Sequence, residues 1–198
     1  MTDRQIAWFR PLWLGLLIVG SAALTTGYTC ITPFAAFAVI AATTLSRRDA
    51  VLLTVALWLT NQAVGFGVLN YPWTAQTFAW GVAIGAAAVI GTLAAHWTVR
   101  RFGSFRAPAQ KGVAFAAAFA LYQLTLYAAA VSMLGGTEAF SVPIIGQVLL
   151  ANAVTLVGLV GLYQLIAGAR FLSRRRRVLT RRPRAWRSGS ASARSAVH

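Results

Sequence analysis

Residues 61–81 read NQAVGFGVLNYPWTAQTFAWG, and this stretch interrupts two long apolar runs with amides, aromatic rings and a proline. The flanking runs, residues 51–59 and 82–95, carry no charged side chain. Such runs enter hydrocarbon at little cost, whereas an amide there is costly unless it is hydrogen-bonded. The stretch therefore predicts a turn between two membrane helices, bordered by polar groups that a purely structural span would lack.

The composition of the whole chain is that of a polytopic membrane protein. Of its 198 residues, 58% are hydrophobic and 11% are charged, and the mean hydropathy is +0.66. Because about 20 apolar residues cross about 30 Å of hydrocarbon, the residues before the basic C-terminal stretch provide about six spans. This length leaves no room for a soluble catalytic domain.

Glycine, proline and charged residues divide the apolar sequence into six predicted spans. The spans are residues 9–27, 31–45, 50–69, 73–98, 112–133 and 142–169. Gly27 and Pro33 mark the first reversal, because Gly ends helices and Pro fits the first turn of the next one. Pro72 marks another, because the residue before a proline is displaced from helical geometry.

The basic residues predict the orientation of this all-α fold. All eighteen Lys and Arg lie before span 1, within its first two residues, or after spans 2, 4 and 6. Cytoplasmic loops carry the excess of basic residues, so both termini are predicted to be cytoplasmic. Residues 1–170 then form a six-helix transmembrane substrate-binding domain. Residues 171–198 form a basic, disordered cytoplasmic tail that contacts anionic membrane lipid.

Polar side chains of the spans gather toward the predicted outer leaflet, which favours a pocket open to the outside. A channel would need polar groups throughout its depth. Each amide also has a simpler interpretation as a link between helices, and Trp73 and Trp80 are typical of an interfacial aromatic belt. The candidate ligand-binding residues are Asn61, Gln62, Asn70, Tyr71, Gln76, Trp80, Gln123 and Asn152.

A few residues have candidate roles at the mouth of the pocket or in helix packing. The single cysteine, Cys30, is either a small packing residue or a ligand contact at the outer mouth, and it excludes an internal disulfide. Small residues let helices approach closely in lipid. The candidates for helix packing or for contact with a partner are Ala23, Gly27, Gly81 and Gly85.

The sequence lacks the motifs and residues that several classes of enzyme and ion-coupled transporter require. There is no GxxxxGK[ST] phosphate loop and no GxSG nucleophile motif. The two histidines, His96 and His198, cannot form a histidine-box metal site, and no predicted span contains an acidic residue for ion coupling. We therefore expect binding and translocation rather than enzymatic activity, with no metal, no cofactor and no nucleic-acid partner.

The run ITPFAAFAVIAATTLSRRDAVLLTVALWLTNQAVGFGVLNYP, residues 31–72, resembles the substrate-binding S-components of energy-coupling-factor vitamin transporters. The shared pattern is a Thr-Pro before an Ala-rich span, a short basic turn, another span and a Gly-hydrophobic-Pro loop. The resemblance implies a six-helix subunit that captures a vitamin or metal near the outer face. It also implies a transmembrane coupling subunit, bound to two ATPases, that contacts small-residue faces such as Ala23 and Gly27 or Ala38 and Ala42. The family's AxxxA pattern in the first span is represented here only by Ala23-xxx-Gly27.

The resulting hypothesis is a multi-pass protein of the cell inner membrane that takes up a vitamin-like small molecule from an outward-facing pocket. A corrinoid of the cobalamin type is the leading ligand, with biotin, thiamine and riboflavin as alternatives. The second hypothesis is a non-transporting membrane scaffold or assembly factor, in which the polar residues only join helices.

Overall fold

The computed structural model describes residues 32–103 and 106–180, with side chains as far as residue 165. The described residues are helical and contain no strand. The chain divides into two compact units, one ending at Leu159 and the other beginning at Val160. In chain order the helices are α1 Phe34–Thr44, α2 Arg47–Gly67, α3 Ala75–Arg101, α4 Ala107–Ala129 and α5 Val142–Thr180, with a π-helical turn at Ala130–Leu134 and a 3-10 turn at Thr137–Phe140.

Four segments are long and apolar enough to cross a membrane, and they correspond to predicted spans 3 to 6. They are Arg47–Gly67, Ala75–Arg101, Ala107–Leu134 and Val142–Leu165. An all-helical fold with several candidate spans is therefore confirmed for the described part of the chain. Predicted span 1 lies outside the described residues.

Predicted span 2 is a helix, but α1 is too short to cross the bilayer. Its 11 residues rise about 16 Å, roughly half of the hydrocarbon thickness. All nine residues of Phe34–Ala42 are buried, as expected of a helix that is apolar on every side. This short helix is therefore a core element rather than a lipid-facing span.

Local capping explains why the helices begin where they do. The Ser46 hydroxyl accepts a hydrogen bond from the Asp49 backbone N–H, so α2 begins at Arg47 rather than at residue 50. The Thr74 hydroxyl accepts from the Thr77 N–H and starts α3. Pro108 lies in the first turn of α4, where its missing N–H costs nothing. Part of the predicted basic loop is consequently helical.

The antiparallel pair α2 and α3 is held by contacts that need small residues on α3. Trp58 donates its indole N–H to the Gly81 carbonyl at 2.8 Å, and a Cβ added to Gly85 would lie 2.8 Å from the same indole ring. The Thr54 and Thr92 hydroxyls lie 2.8 Å apart and are buried. Gly81 and Gly85 thus lie at a close contact between two helices of this chain.

Helix α3 also packs closely on α4, its most extensive neighbour. A Cβ on Gly91 would lie 3.1 Å from the Ala118 carbonyl oxygen. Ala87, Ala88 and Ala95 on α3 and Ala114 and Ala118 on α4 are fully or almost fully buried. Small side chains therefore allow the two backbones to approach, which is the main packing device where lipid removes the hydrophobic drive.

The predicted tail begins as helix, because α5 continues to Thr180. Neither Gly nor Pro occurs between Gly168 and Pro183, and the intervening arginines are good helix formers.

The two ends of the described bundle differ in charge. One end carries the basic residues, and the opposite end carries Glu138 as its charged side chain among the described residues. We call them the arginine end and the neutral end. The described basic residues of the arginine end are Arg47, Arg48, Arg100, Arg101, Arg106 and Lys111.

Candidate functional site

A cavity of about 320 Å³ lies at the neutral end of the bundle. Its walls come from Thr32 just before α1, the parts of α3 and α4 nearest the neutral end, the 3-10 turn and the start of α5. The described lining residues are Thr32, Trp80, Ile84, Tyr122, Gln123, Leu126, Ala139, Phe140, Ile144 and Val148. The volume lies at the low end of the range for small-molecule sites, about 300–1,000 Å³.

The cavity combines apolar walls with hydrogen-bonding groups that have no partner elsewhere in the described chain. These groups are the Gln123 amide, the Trp80 indole N–H and the Tyr122 hydroxyl. Ligand sites typically have this composition, in which apolar surface supplies affinity and a few polar groups fix orientation. The amide offers both donors and an acceptor, whereas the indole offers a donor alone.

The roof of the cavity is an irregular segment that follows α4. The helix widens into the π-helical turn, and Gly135 and Gly136 then take φ values of +69° and +78°, which favour glycine. The 3-10 turn that follows is fixed by an edge-to-face contact between Tyr127 and Phe140, with ring centroids 5.3 Å apart. Single π-turns within α-helices occur frequently at functional sites.

Gln76 joins this roof to α3. Its side-chain amide donates to the Leu134 carbonyl at the end of the π-helical turn. Gln76 therefore positions the segment above the cavity, although it is not among the described lining residues.

The floor of the cavity is set by the position at which α1 begins. Thr32 precedes the capping residue Pro33, and the Thr32 hydroxyl donates to the Asn61 amide oxygen at 2.6 Å. Asn61 thus orients a lining residue from the neighbouring α2.

Asn152 closes the N-terminus of α1 from a distant part of the sequence. Its side chain is 2% exposed, and its amide oxygen accepts from the backbone N–H groups of Ala35 at 3.1 Å and Ala36 at 3.3 Å. Its amide nitrogen donates to the Val148 carbonyl at 2.9 Å. All of these bonds lie within the chain, so Asn152 supports the lining residues Thr32 and Val148 rather than facing the cavity.

Of the eight candidate ligand-binding residues, Trp80 and Gln123 line the cavity. Asn61, Gln76 and Asn152 each support an element that forms it. Gln62 packs against α3, with its side-chain oxygen 2.8 Å from a Cβ placed on Gly81. The structure therefore separates two lining residues from four residues that join helices.

Asn70 and Tyr71 lie outside the cavity wall, in the turn between α2 and α3. Asn70 has a φ of +54°, a left-handed conformation that Asn tolerates, and the Tyr71 ring packs on Gly65. Phe66 stacks on Phe78 with centroids 4.8 Å apart, and Trp73 lies 5.2 Å from Phe66. This aromatic cluster fixes the turn, and the 76% exposed Trp73 suits an interfacial belt.

Some residues predicted to lie at the mouth of the pocket or to contact a partner protein are outside the described residues or are buried. Cys30, Ala23 and Gly27 lie outside the described residues. Ala38 and Ala42, the alternative partner surface, are 1% and 6% exposed, so they contact other parts of this chain instead.

Sequence reasoning missed most of the apolar lining, and it missed Thr32 and Tyr122. The Thr-Pro before α1 was the available signal for Thr32, because it marks where a helix begins. No local signal identified Ile144 or Val148, since exposed and cavity-facing apolar residues look alike in a span. Tyr127, which shares a helix face with Gln123, is 47% exposed and packs on the roof.

Neither a protein-family model nor a curated protein nor a solved structure matches the chain. The resemblance to vitamin-transporter subunits therefore stays a prediction. In the described residues there is also no group of three or more His, Cys, Asp or Glu side chains that could hold a metal ion.

Proposed function

We propose that the protein binds a small, vitamin-like molecule in the cavity at the neutral end and moves it across the inner membrane. The observation that carries this proposal is the cavity itself: about 320 Å³, mostly apolar, with the polar groups of Gln123, Trp80 and Tyr122 making no hydrogen bond to another described residue. These groups are available to a ligand that supplies matching acceptors and donors, which is the usual composition of a small-molecule site.

The size of the cavity favours the smaller candidate ligands. Biotin, thiamine and a flavin ring have dimensions suited to a site at the low end of the usual range. A corrinoid macrocycle with its nucleotide loop is much larger and would extend far beyond the described walls. We therefore rank biotin, thiamine and riboflavin above cobalamin.

The distribution of charge supports entry from outside the cell. The cavity lies at the end opposite to the arginines, and basic residues favour the cytoplasmic side. Labelling of single cysteines in a Cys30→Ala background tests this orientation. We expect Glu138→Cys to react with a membrane-impermeant maleimide in intact cells and Arg106→Cys to react only after lysis. The reverse pattern would remove the outward-facing receptor.

Binding is tested with purified protein and the four candidate vitamins, by intrinsic tryptophan fluorescence and by mass spectrometry of co-purified small molecules. We expect one vitamin to bind, and Gln123→Leu to weaken its binding about fivefold, because a lost hydrogen bond is worth about 1 kcal/mol. Gln147→Leu is the matched control, since Gln147 is exposed on α5 and does not line the cavity. No binding and no co-purified molecule would overturn the proposal.

A scaffold function is the second candidate, because a specific observation favours it. The amides of Asn61, Gln76 and Asn152 are all engaged within the chain, as expected if polar residues serve mainly to join helices. A scaffold would emerge from purification without ligand. Its Gln123→Leu variant would change neither vitamin binding nor uptake.

A further inference from the structure

A second cavity, of about 520 Å³, lies at the arginine end of the bundle. It forms between the start of α2 and the last two turns of α3. Its described lining residues are Arg47, Leu93, His96, Trp97, Arg100 and Arg101. This end of the molecule plays no part in the proposed binding of a vitamin, so the two ideas stand independently.

Three guanidinium groups share this cavity without a described carboxylate to balance them. Arg47, Arg100 and Arg101 have no ion pair in the described chain, and Arg101 lies 5.7 Å from the centroid of the Phe102 ring. The nearby acid, Asp49, accepts a hydrogen bond from the Ser46 hydroxyl at 2.7 Å. Like charges gathered around one cavity repel each other, and a bound anion relieves that repulsion. Guanidinium groups are well suited to phosphate, which they bind through paired hydrogen bonds.

His96 forms the inner wall of the cavity and is 9% exposed. Both of its ring nitrogens are buried and lack a hydrogen-bond partner in the described chain. The backbone at Leu45 and Ser46 faces the ring without meeting hydrogen-bond geometry. A buried donor without a partner costs about 1–3 kcal/mol. Because its ring nitrogens have almost no accessible surface, His96 contributes ring surface to the wall of the cavity rather than a donor to a ligand.

The remaining wall is apolar and leads from the arginines toward the middle of the helix. Leu93, Trp97 and Arg100 follow each other at helical spacing on one face of α3. Trp97 is 65% exposed, as is typical of the membrane interface. A free phosphate ion makes no favourable contact with this apolar surface. A lipid can place its headgroup at the arginines and its acyl chains along Trp97 and Leu93.

From this order of charged and apolar residues we infer that the cavity is a binding site for the phosphate headgroup of an anionic phospholipid. The three arginines contact the phosphate, and the Trp97 and Leu93 side chains contact the first part of the acyl chains. Basic pockets between helices at the cytoplasmic side of a membrane bind anionic headgroups in this way. The lipid would also join the start of α2 to the end of α3, because the arginines at these two helix ends otherwise repel each other.

The test is native mass spectrometry of the full chain in detergent, titrated with phosphatidylglycerol or with phosphatidylcholine of the same acyl chains. We expect saturable binding of one phosphatidylglycerol and at least tenfold weaker binding of phosphatidylcholine. The double variant Arg47→Gln with Arg100→Gln should lose about 30-fold in affinity, at about 1 kcal/mol for each arginine. Arg101→Gln, with an expected loss of about fivefold, provides the same test if the double variant does not fold.

The matched control removes the same charge outside the cavity. Arg48→Gln with Arg106→Gln changes two exposed arginines of the same end, and we expect a loss below threefold. An equal loss in this control, or equal binding of both lipids, would show general attraction to the basic end and would overturn the site.

Two experiments distinguish a lipid from a free phosphate compound as the ligand: competition by a soluble phosphate, and substitution of a residue in the apolar wall. Glycerol 3-phosphate should compete only at a concentration at least a hundredfold higher, and Trp97→Ala should weaken the lipid without changing glycerol 3-phosphate binding. Equal affinity for the soluble phosphate would show that the cavity takes a free anion and would overturn the lipid assignment.

Discussion

We expect the replacement of Asn152 by leucine to lower the free energy of unfolding, although Asn152 does not line the candidate cavity. Asn152 belongs to α5, but its amide oxygen caps two N–H groups at the start of α1. Ala36 retains a bond to the Pro33 carbonyl at 3.1 Å. The Ala35 N–H has no such second acceptor among the described backbone bonds and would be left buried and unpaired.

The size of the effect follows from that single unpaired group. A buried donor that loses its acceptor costs about 1–3 kcal/mol. The lower end is favoured in a membrane, because the unfolded helices also find partners there. Leucine has the same branching at Cγ and the same number of heavy atoms as asparagine but is somewhat larger, so the substitution leaves no cavity. We therefore expect the free energy of unfolding to fall by about 1–3 kcal/mol.

The assay is reversible unfolding in mixed micelles, combined with hydrogen exchange at the N-terminus of α1. Gln147→Leu is the control, because it makes a similar amide-to-leucine change at an exposed position of the same helix. We expect the control to stay within about 0.5 kcal/mol of the wild type. If Asn152→Leu also stays within that margin, with unchanged exchange at Ala35, then Asn152 does not hold the start of α1.

Two further predictions concern the packing of α3. Gly91→Ala should destabilise by about 1–3 kcal/mol, because its Cβ would lie 3.1 Å from the Ala118 carbonyl. Gly158→Ala, with no atom within 4 Å of the new Cβ, should be neutral or slightly stabilising. A double-mutant cycle of Thr54→Val and Thr92→Val should give a coupling energy of about 0.6 kcal/mol, the average for polar pairs between membrane helices. The same unfolding assay tests both predictions. Equal effects of Gly91→Ala and Gly158→Ala would contradict the first, and zero coupling between Thr54 and Thr92 would contradict the second.

The sequence sufficed to predict the elements of this fold that depend on local composition. Long uncharged runs identified the four candidate spans, and the turn at Asn70 and Pro72 was visible because both residues disfavour a continuing helix. Gly81 and Gly85 lie where α2 approaches α3 closely, and small residues are a local signal for such contacts. These signals are local, so they need no knowledge of the neighbouring helices.

The candidate site was harder to predict because it depends on contacts between distant segments. Asn152 meets Ala35 across 117 positions of the chain, and nothing near either residue indicates that contact. An amide in a span looks the same whether it caps another helix, as Asn152 does, or lines a cavity, as Gln123 does. Polarity alone therefore grouped residues that line the cavity with residues that join helices.

The position of the cavity follows from the way side-chain size changes along α3. In the half near the arginines, Ala87, Gly91 and Ala95 are buried and bring α3 against its neighbours. In the other half, Trp80 and Ile84 are larger and line open space. The short α1 begins near the level where this change occurs, because Thr32, two residues before it, lines the cavity. Among the described residues, α1 therefore fills only the closely packed half. The cavity follows from this half-length core helix beside an α3 whose side chains become larger toward the neutral end, and we expect an extension of α1 at its start to occlude the cavity.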